Sequence, residues 1–116
     1  MTERVLITGG GGFVGACLAH GLIADGREVH CLLRPNRPYP RLGALAGRYT
    51  PHRADLNDAP AVRRAVESAR PDVIYHLAAA GVSPSDGGRA ALLDTNVHGT
   101  ARLLDALKGR DYQALV

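Results

Sequence analysis

Four consecutive glycines near the start of the chain lie between an apolar run and a helical pattern, within the segment Thr8 to Gly15. Gly9 permits a sharp reversal from strand to helix, Gly12 lets the backbone approach a pyrophosphate, and Gly15 lets the helix pack tightly on the sheet. The first amides of such a helix have no intrahelical acceptor and lie at the positive end of its dipole, where an anion fits. The spacing therefore predicts a turn that binds the pyrophosphate of a dinucleotide.

The end of the second predicted strand bears on which dinucleotide such a turn would take. Leu33 and then Arg34 stand where a site for NAD normally has an Asp or Glu that accepts from the ribose 2′-hydroxyl. A guanidinium beside the ribose suits a 2′-phosphate, and Arg37 or Arg41 could contribute if the loop folds back. We therefore expect NADP to be preferred over NAD, although a leucine alone does not forbid NAD. The alternative is that Arg34 is only a solvated charge at the end of a strand.

Strands and helices are predicted to alternate along the chain. Short apolar runs predict strands at Arg4 to Thr8, Glu28 to Arg34, Tyr49 to Arg53, Asp72 to Leu77 and Tyr112 to Val116. Helical spacing predicts helices from Phe13 to about Asp25, from Asp58 to just before Pro71, and from about Arg89 to Leu107. Residues 35–47 are predicted to form a loop with one helical turn around Leu42 to Leu45.

The same periodicity predicts the buried side of each helix. The expected buried residues are Val14, Cys17, Leu18, Gly21 and Leu22 in the first helix, Val62, Ala65, Val66 and Ala69 in the second, and Leu93, Val97, Thr100, Leu104 and Leu107 in the third. Both cysteines, Cys17 and Cys31, are interpreted as small buried apolar residues, because their spacing fits neither a metal site nor a redox pair.

Strands that alternate with helices through short connections predict a parallel sheet with right-handed crossovers. We expect an α/β fold of the Rossmann type, a doubly wound parallel sheet with the strand order 3-2-1-4-5. Ligands bind such sheets outside the carboxyl ends of the strands, at the switch point between the first and fourth strands. The glycine turn, the end of the second strand and the segment Ala78 to Ala80 all reach that edge.

Composition argues against several other classes of protein. The 116 residues suffice for one domain, and a net charge of +3 with 4% aromatic residues does not favour binding to nucleic acid. No apolar run approaches the roughly 20 residues of a membrane span, and no signal peptide is apparent. The five histidines form no cluster with acidic residues, so we expect no metal site. A cytoplasmic location is expected.

Four motifs in register resemble the extended short-chain dehydrogenase/reductase superfamily, also called the NAD-dependent epimerase/dehydratase family. The segment Thr8 to Gly15 resembles its TGxxGFxG motif, and Asp55-Leu56 follows the third strand as in the family. Asp72 to Ala79 covers the fourth strand, and Asn96 to Thr100 lies in the next helix. The resemblance implies the cofactor-binding part of an enzyme that moves a hydride between a substrate carbon and nicotinamide, with a nucleotide sugar as the small-molecule substrate.

The resemblance also implies roles for individual residues. Around the pyrophosphate it places Gly9, Gly12, Phe13 and Val14, in addition to the helix-packing Gly15. Asp55 would hydrogen-bond the adenine amino group and Leu56 would pack on the adenine ring. The path toward the nicotinamide ribose would be lined by Leu77, Ala78 and Ala79.

For some further polar residues a functional and a purely structural interpretation both remain. In the family, an asparagine at the position of Asn96 helps to hold the active-site backbone and a water molecule. The alternative is a buried amide that bonds a neighbouring strand. Ser83 or Ser85, in the loop Gly81 to Gly88, could contact substrate, although a polar loop is more often only a loop.

The catalytic Tyr-x-x-x-Lys pair of the family has no match here. The residues four positions after the tyrosines are Gly43, Arg53, Ala79 and Val116. Tyr49 and Arg53 form the only basic match, but in a strand they would be about 13 Å apart and could not reproduce a helical pair. We therefore expect residues 1–116 to be an incomplete NAD(P)-binding domain without turnover of its own. Its fifth strand would be cut short, and that edge could support association or a homo-oligomer.

Other functions remain open at this point. A non-catalytic module that binds or senses NAD(P) would also lack the Tyr-x-x-x-Lys pair. A flavin-binding Rossmann protein would require an acid at the end of the second strand, which Leu33 and Arg34 do not supply. A P-loop NTPase is excluded more firmly because no Gly-Lys-Ser/Thr follows the glycines. The sequence does not distinguish an epimerase, a dehydratase and a reductase.

Overall fold

The computed structural model describes residues 2–79 and 88–116. Its strands are β1 (Arg4–Thr8), β2 (Glu28–Leu33), β3 (Thr50–Arg53), β4 (Val73–His76) and β5 (Ala114–Leu115). Its helices are α1 (Phe13–Ala24), α2 (Ala59–Ala69), α3 (Arg89–Leu92) and α4 (Thr100–Leu107), with a 3₁₀ helix at Pro40–Leu45 and a π-helical segment at Leu93–Gly99. None of the helices in the described ranges is both long enough and apolar enough to cross a bilayer.

The five described strands form one sheet in the order β3-β2-β1-β4-β5, and every pairing is parallel. This confirms the predicted doubly wound fold. β1 lies at the centre, where its Val5 is paired with Val29 on one side and Val73 on the other. β3 lies at an edge of the sheet, which explains how it accommodates Pro51 within a strand.

Alternate residues of the central strands face two separate apolar layers. On one face, Leu6, Leu32 and Ile74 pack with residues of α2 and α4, among them Val62, Val66, Leu103 and Leu107. On the other face, Val5, Ile7, Val29 and Cys31 pack with Ala16, Ala19, Leu42 and Leu45. The predicted stripe of α2 is confirmed, since Val62, Ala65, Val66 and Ala69 are all buried.

Of the predicted buried face of α1, Leu18 and Leu22 are half-buried and pack against the core, but the rest of the prediction is wrong. The buried residues of α1 are Gly15, Ala16 and Ala19, whereas Val14 is 65% exposed and Cys17 is also exposed. The cause is the close approach of the helix to the glycine turn: a side chain on Gly15 would overlap the carbonyl oxygen of Gly9. This contact directs the smallest residues of α1 toward the sheet. The interpretation of Cys31 as a buried residue is confirmed.

The predicted buried face of residues 89–107 is also largely wrong. Leu93, Val97 and Leu104 are exposed, and of the expected residues only Leu107 is fully buried. The π-helical segment inserts wider turns between α3 and α4, so a constant helical period does not describe this region. Gly99 is buried there, where a Cβ would lie 3.0 Å from the Cβ of Leu56.

Candidate functional site

The glycine turn joins β1 to α1 through contacts that exclude side chains. Gly9 has φ +74°, and a Cβ on it would lie 2.7 Å from the backbone nitrogen of Ala78. The amide of Gly12 donates to the carbonyl oxygen of Gly9 at 3.1 Å, which closes the turn. A Cβ on Gly12 would meet only that oxygen, at 3.4 Å, so no other protein atom outside the adjacent residues lies within 4 Å of the position that a Gly12 side chain would take.

The amino-terminal end of α1 has no side-chain cap. Gly12 is the N-cap residue, and the first turn contains no acidic residue. In α2, by contrast, the side chain of Asp58 accepts from the amide of Ala61 at 3.1 Å. The first amides of α1 have no intrahelical acceptors, so this end of the helix is suited to an external anion.

A cleft of about 580 Å³ extends from this turn along the carboxyl ends of the strands. It is lined by the residues that the sequence assigned to the cofactor, apart from Asn96, namely Gly9, Gly12, Phe13, Val14, Gly15, Arg34, Asp55, Leu56, Leu77, Ala78 and Ala79, together with Arg37 and Arg41. Ala78 and Ala79 follow β4, and Asp55 and Leu56 follow β3. The topology therefore brings four separated parts of the chain to one edge of the sheet.

The charges along the cleft are mainly positive. Its charged residues in the described ranges are Arg34, Arg37, Arg41 and Asp55. No carboxylate stands at the end of β2, which is Leu33. One oxygen of Asp55, Oδ1, accepts from the amide of Asn57 at 2.9 Å, so this carboxylate is oriented by its own turn.

The loop after β2 places an aromatic ring in the cleft, which sequence reasoning missed. The Tyr39 ring covers the glycine turn so closely that a side chain on Gly11 would overlap it. Its hydroxyl accepts from the amide of Arg34 at 2.8 Å. The loop reverses at Asn36, which has φ +61°. No spacing in the sequence indicates that Tyr39 folds back onto the glycines.

A chain of hydrogen bonds connects β1 and β4 to the start of α4, and sequence reasoning missed it as well. Oγ1 of Thr8 lies 2.6 Å from Nδ1 of His76, and it accepts from the amide of Ala78 at 3.2 Å. On the other side of the imidazole, Nε2 lies 2.8 Å from Oγ1 of Thr100. The chain holds the backbone at Ala78 beside the glycine turn.

The remaining candidates lie apart from the cleft or outside the described residues. Asn96 is exposed in the π-helical segment and is not among the residues that line the cleft, whereas the neighbouring Thr95 is. Its interpretation as a buried amide is wrong, because the wider turns here direct Gly99 rather than Asn96 toward the core. Ala80, Ser83 and Ser85 lie outside the described residues.

Comparisons with known proteins identify relatives over nearly the whole chain. The model of the NAD dependent epimerase/dehydratase family matches residues 5–116. The dTDP-glucose 4,6-dehydratase 1 of Escherichia coli is 33% identical over 111 residues, which are 90% of this chain and 31% of that protein. The UDP-glucose 4-epimerase of Streptomyces lividans is 33% identical over 118 residues, which cover 100% of this chain and 35% of that protein. The chain thus spans about a third of the length of these relatives.

Solved structures share the fold described above. The Bordetella bronchiseptica enzyme WbmG, in complex with NAD and UDP, superposes with a TM-score of 0.77 at 30% identity over 92% of this chain and 34% of its own. The UDP-glucose 4-epimerase of Thermus thermophilus, in complex with NAD, has a TM-score of 0.71 at 34% identity over 90% of this chain and 33% of its own.

Proposed function

Because this chain belongs to the NAD dependent epimerase/dehydratase family, we propose that its cleft binds a nicotinamide dinucleotide, NADP in preference to NAD. The uncapped amino-terminal end of α1, beside Gly9 and Gly15, which leave no room for side chains, is the observation on which the proposal depends. The pyrophosphate would lie against Gly9, Gly12, Phe13 and Val14, with the first amides of α1 as donors.

The two ends of the dinucleotide would lie along different strands. Asp55 would accept from the adenine amino group, and Leu56 would pack against the adenine ring. Toward the nicotinamide, Leu77, Ala78 and Ala79 form a wall of mostly small side chains that permits close approach of the cofactor. The bound nicotinamide supplies the chemistry, since it accepts or returns a hydride. Asn96, on the π-helical segment, would help to order the protein backbone near the nicotinamide end of the dinucleotide.

The preference for NADP rests on charge at the ribose end. Arg34, Arg37 and Arg41 line the cleft, and β2 ends in Leu33 where a site for NAD usually has a carboxylate. A 2′-phosphate would gain charge-assisted hydrogen bonds from these guanidinium groups. An unphosphorylated ribose would find no carboxylate to accept from its 2′-hydroxyl at that position.

The substrate of the whole protein is proposed to be a nucleotide sugar. The relatives include proteins named for dTDP-glucose and for UDP-glucose, and a structural neighbour contains UDP beside NAD. Residues 1–116 would act as the cofactor-binding portion, so that the hydride passes between a sugar carbon and the nicotinamide held in this cleft. Substrate-binding groups would lie mainly in the part of such enzymes that this chain does not cover.

Paired binding titrations with NADPH and NADH test this function. We expect tighter binding of NADPH, and Arg34→Ala should weaken NADPH binding by about tenfold, as expected for loss of one charge-assisted hydrogen bond. Arg64→Ala removes an equal charge from the exposed side of α2 and serves as the control. Binding of neither dinucleotide would reject the function. Tighter binding of NADH, unchanged in Arg34→Ala, would reject the preference alone.

A further inference from the structure

Arg53 is the last residue of β3 and lies outside the cleft, yet it contacts the loop that carries the cleft's arginines. In the sheet it is paired with Leu33, the last residue of β2. Its Nη1 donates to the carbonyl oxygens of Arg34 and Arg37, both at 3.1 Å. One guanidinium group therefore attaches the start and the middle of the loop to the neighbouring strand.

The same guanidinium group also supports Tyr39. The Cζ of Arg53 lies 5.3 Å from the centre of the Tyr39 ring, within the range of a cation–π contact. The Tyr39 hydroxyl accepts from the amide of Arg34 at 2.8 Å, while the carbonyl of Arg34 accepts from Arg53. The amide and the carbonyl of Arg34 are thus both hydrogen-bonded to side chains, so Tyr39 and Arg53 fix the position of Arg34 in the cleft.

We propose that Arg53 and Tyr39 are positioning residues that determine recognition of a ribose 2′-phosphate without Arg53 touching the phosphate. This inference rests on the proposed preference for NADP. Arg34, Arg37 and Arg41 all line the cleft, and Arg34 and Arg37 lie in the segment whose backbone Arg53 and Tyr39 contact. Arg53 and Tyr39 hold the loop in place before the ligand arrives, so binding does not bear the cost of ordering these long side chains.

The consequence is specific to one of the two dinucleotides. NADPH carries the phosphate that the arginines would contact, whereas NADH has a hydroxyl there and gains nothing from an ordered loop. Loosening the loop should therefore weaken NADPH binding and leave NADH binding nearly unchanged. A residue that only stabilised the fold would affect both affinities together.

Two variants of the full chain test the inference. Arg53→Met removes the donors at similar side-chain length, and Tyr39→Phe removes one hydroxyl without changing any charge. In Arg53→Met the ratio of the NADH Kd to the NADPH Kd should fall about tenfold, the cost of ordering one or two long side chains on binding. Tyr39→Phe should lower the ratio in the same direction and increase hydrogen exchange at the amide of Arg34. Arg64→Met, which removes an exposed charge from α2, is the control and should retain the ratio.

The outcomes separate this inference from the function on which it rests. A wild-type chain that prefers NADH would reject the NADP preference, and the inference with it. A wild-type chain that prefers NADPH, with the same ratio in both variants, would reject the inference alone. Equal losses for both dinucleotides in Arg53→Met, or an equal fall of the ratio in Arg64→Met, would also overturn it, because fold damage or net charge would then explain the effect.

Discussion

The hydroxyl of Thr8 lies 2.6 Å from Nδ1 of His76, between the ends of β1 and β4. Thr8 Oγ1 also accepts from the amide of Ala78 at 3.2 Å. At the other nitrogen, Thr100 Oγ1 donates to the carbonyl of Asn96 at 2.9 Å and therefore accepts from the Nε2–H of His76. Burial lowers the pKa of His76 and so favours its neutral form, in which the proton lies on Nε2 and Nδ1 accepts from the hydroxyl of Thr8.

This arrangement predicts a loss of stability in mild acid. Burial lowers the pKa of His76 below its usual 6.5, and burial together with the nearby His30 lowers the pKa of His52. As the pH falls below about 6.5, the unfolded chain takes up these protons before the folded chain does, so the free energy of unfolding decreases. Urea unfolding at about pH 7.5 and about pH 5.5 measures the difference.

Substitution separates the contributions of the histidines. His76→Gln should make the free energy of unfolding less dependent on pH in this interval, whereas His20→Gln, at an exposed position of α1, serves as the matched control. A free energy of unfolding that rises toward pH 5.5 in the wild-type chain would contradict the prediction.

The two thiols should differ strongly in reactivity. Cys17 is exposed on α1, whereas Cys31 is buried in β2, and burial raises the pKa of its thiol to about 12. Since the thiolate is the reactive form, a disulfide reagent should modify one thiol in the folded chain and both in urea. Cys17→Ser should abolish the reaction of the folded chain. Rapid modification of both thiols without denaturant would show that the core around Cys31 opens readily.

The same substitution at two positions of α1 should change stability in opposite directions. An alanine side chain at residue 15 would overlap the carbonyl oxygen of Gly9, so Gly15→Ala should be strongly destabilising. A Cβ on Gly21 has no neighbour within 4 Å, and Gly21→Ala should stabilise the helix by about 1 kcal/mol. Urea unfolding curves measure both effects. Equal effects of the two changes would contradict the close contact between α1 and the glycine turn.

Gly12 offers a test of binding that leaves the fold intact. Its φ of −76° and ψ of 175° are accessible to alanine, and the added Cβ would meet only the carbonyl oxygen of Gly9, at 3.4 Å. Gly12→Ala should therefore unfold near the wild-type urea concentration. It should still bind NADPH at least about tenfold more weakly, because the Cβ would occupy the proposed approach of the pyrophosphate. Unchanged affinity would place the pyrophosphate elsewhere.

Much of the architecture could be predicted from local patterns. The strand at Arg4–Thr8, the helix that begins at Phe13 and the Asp58 cap of α2 are all present as expected. The parallel order of the strands followed from the alternation of short apolar runs with helices, since crossover connections have a fixed hand. The glycine spacing and the Asp55-Leu56 pair correctly indicated which parts of the chain meet in the cleft.

The sequence by itself thus determined the element types, the topology and the edge of the sheet where the candidate site lies. Only the tertiary structure decided how α1 and the helical region 89–107 are rotated, because the contact of Gly15 with Gly9 and the π-helical segment before Thr100 override apolar periodicity. It also decided that Arg53 and Tyr39 hold the arginine loop, and that His76 connects β1 to α4. The contacts of Arg53 and His76 join residues far apart in the chain, and their distances depend on packing that no local pattern encodes.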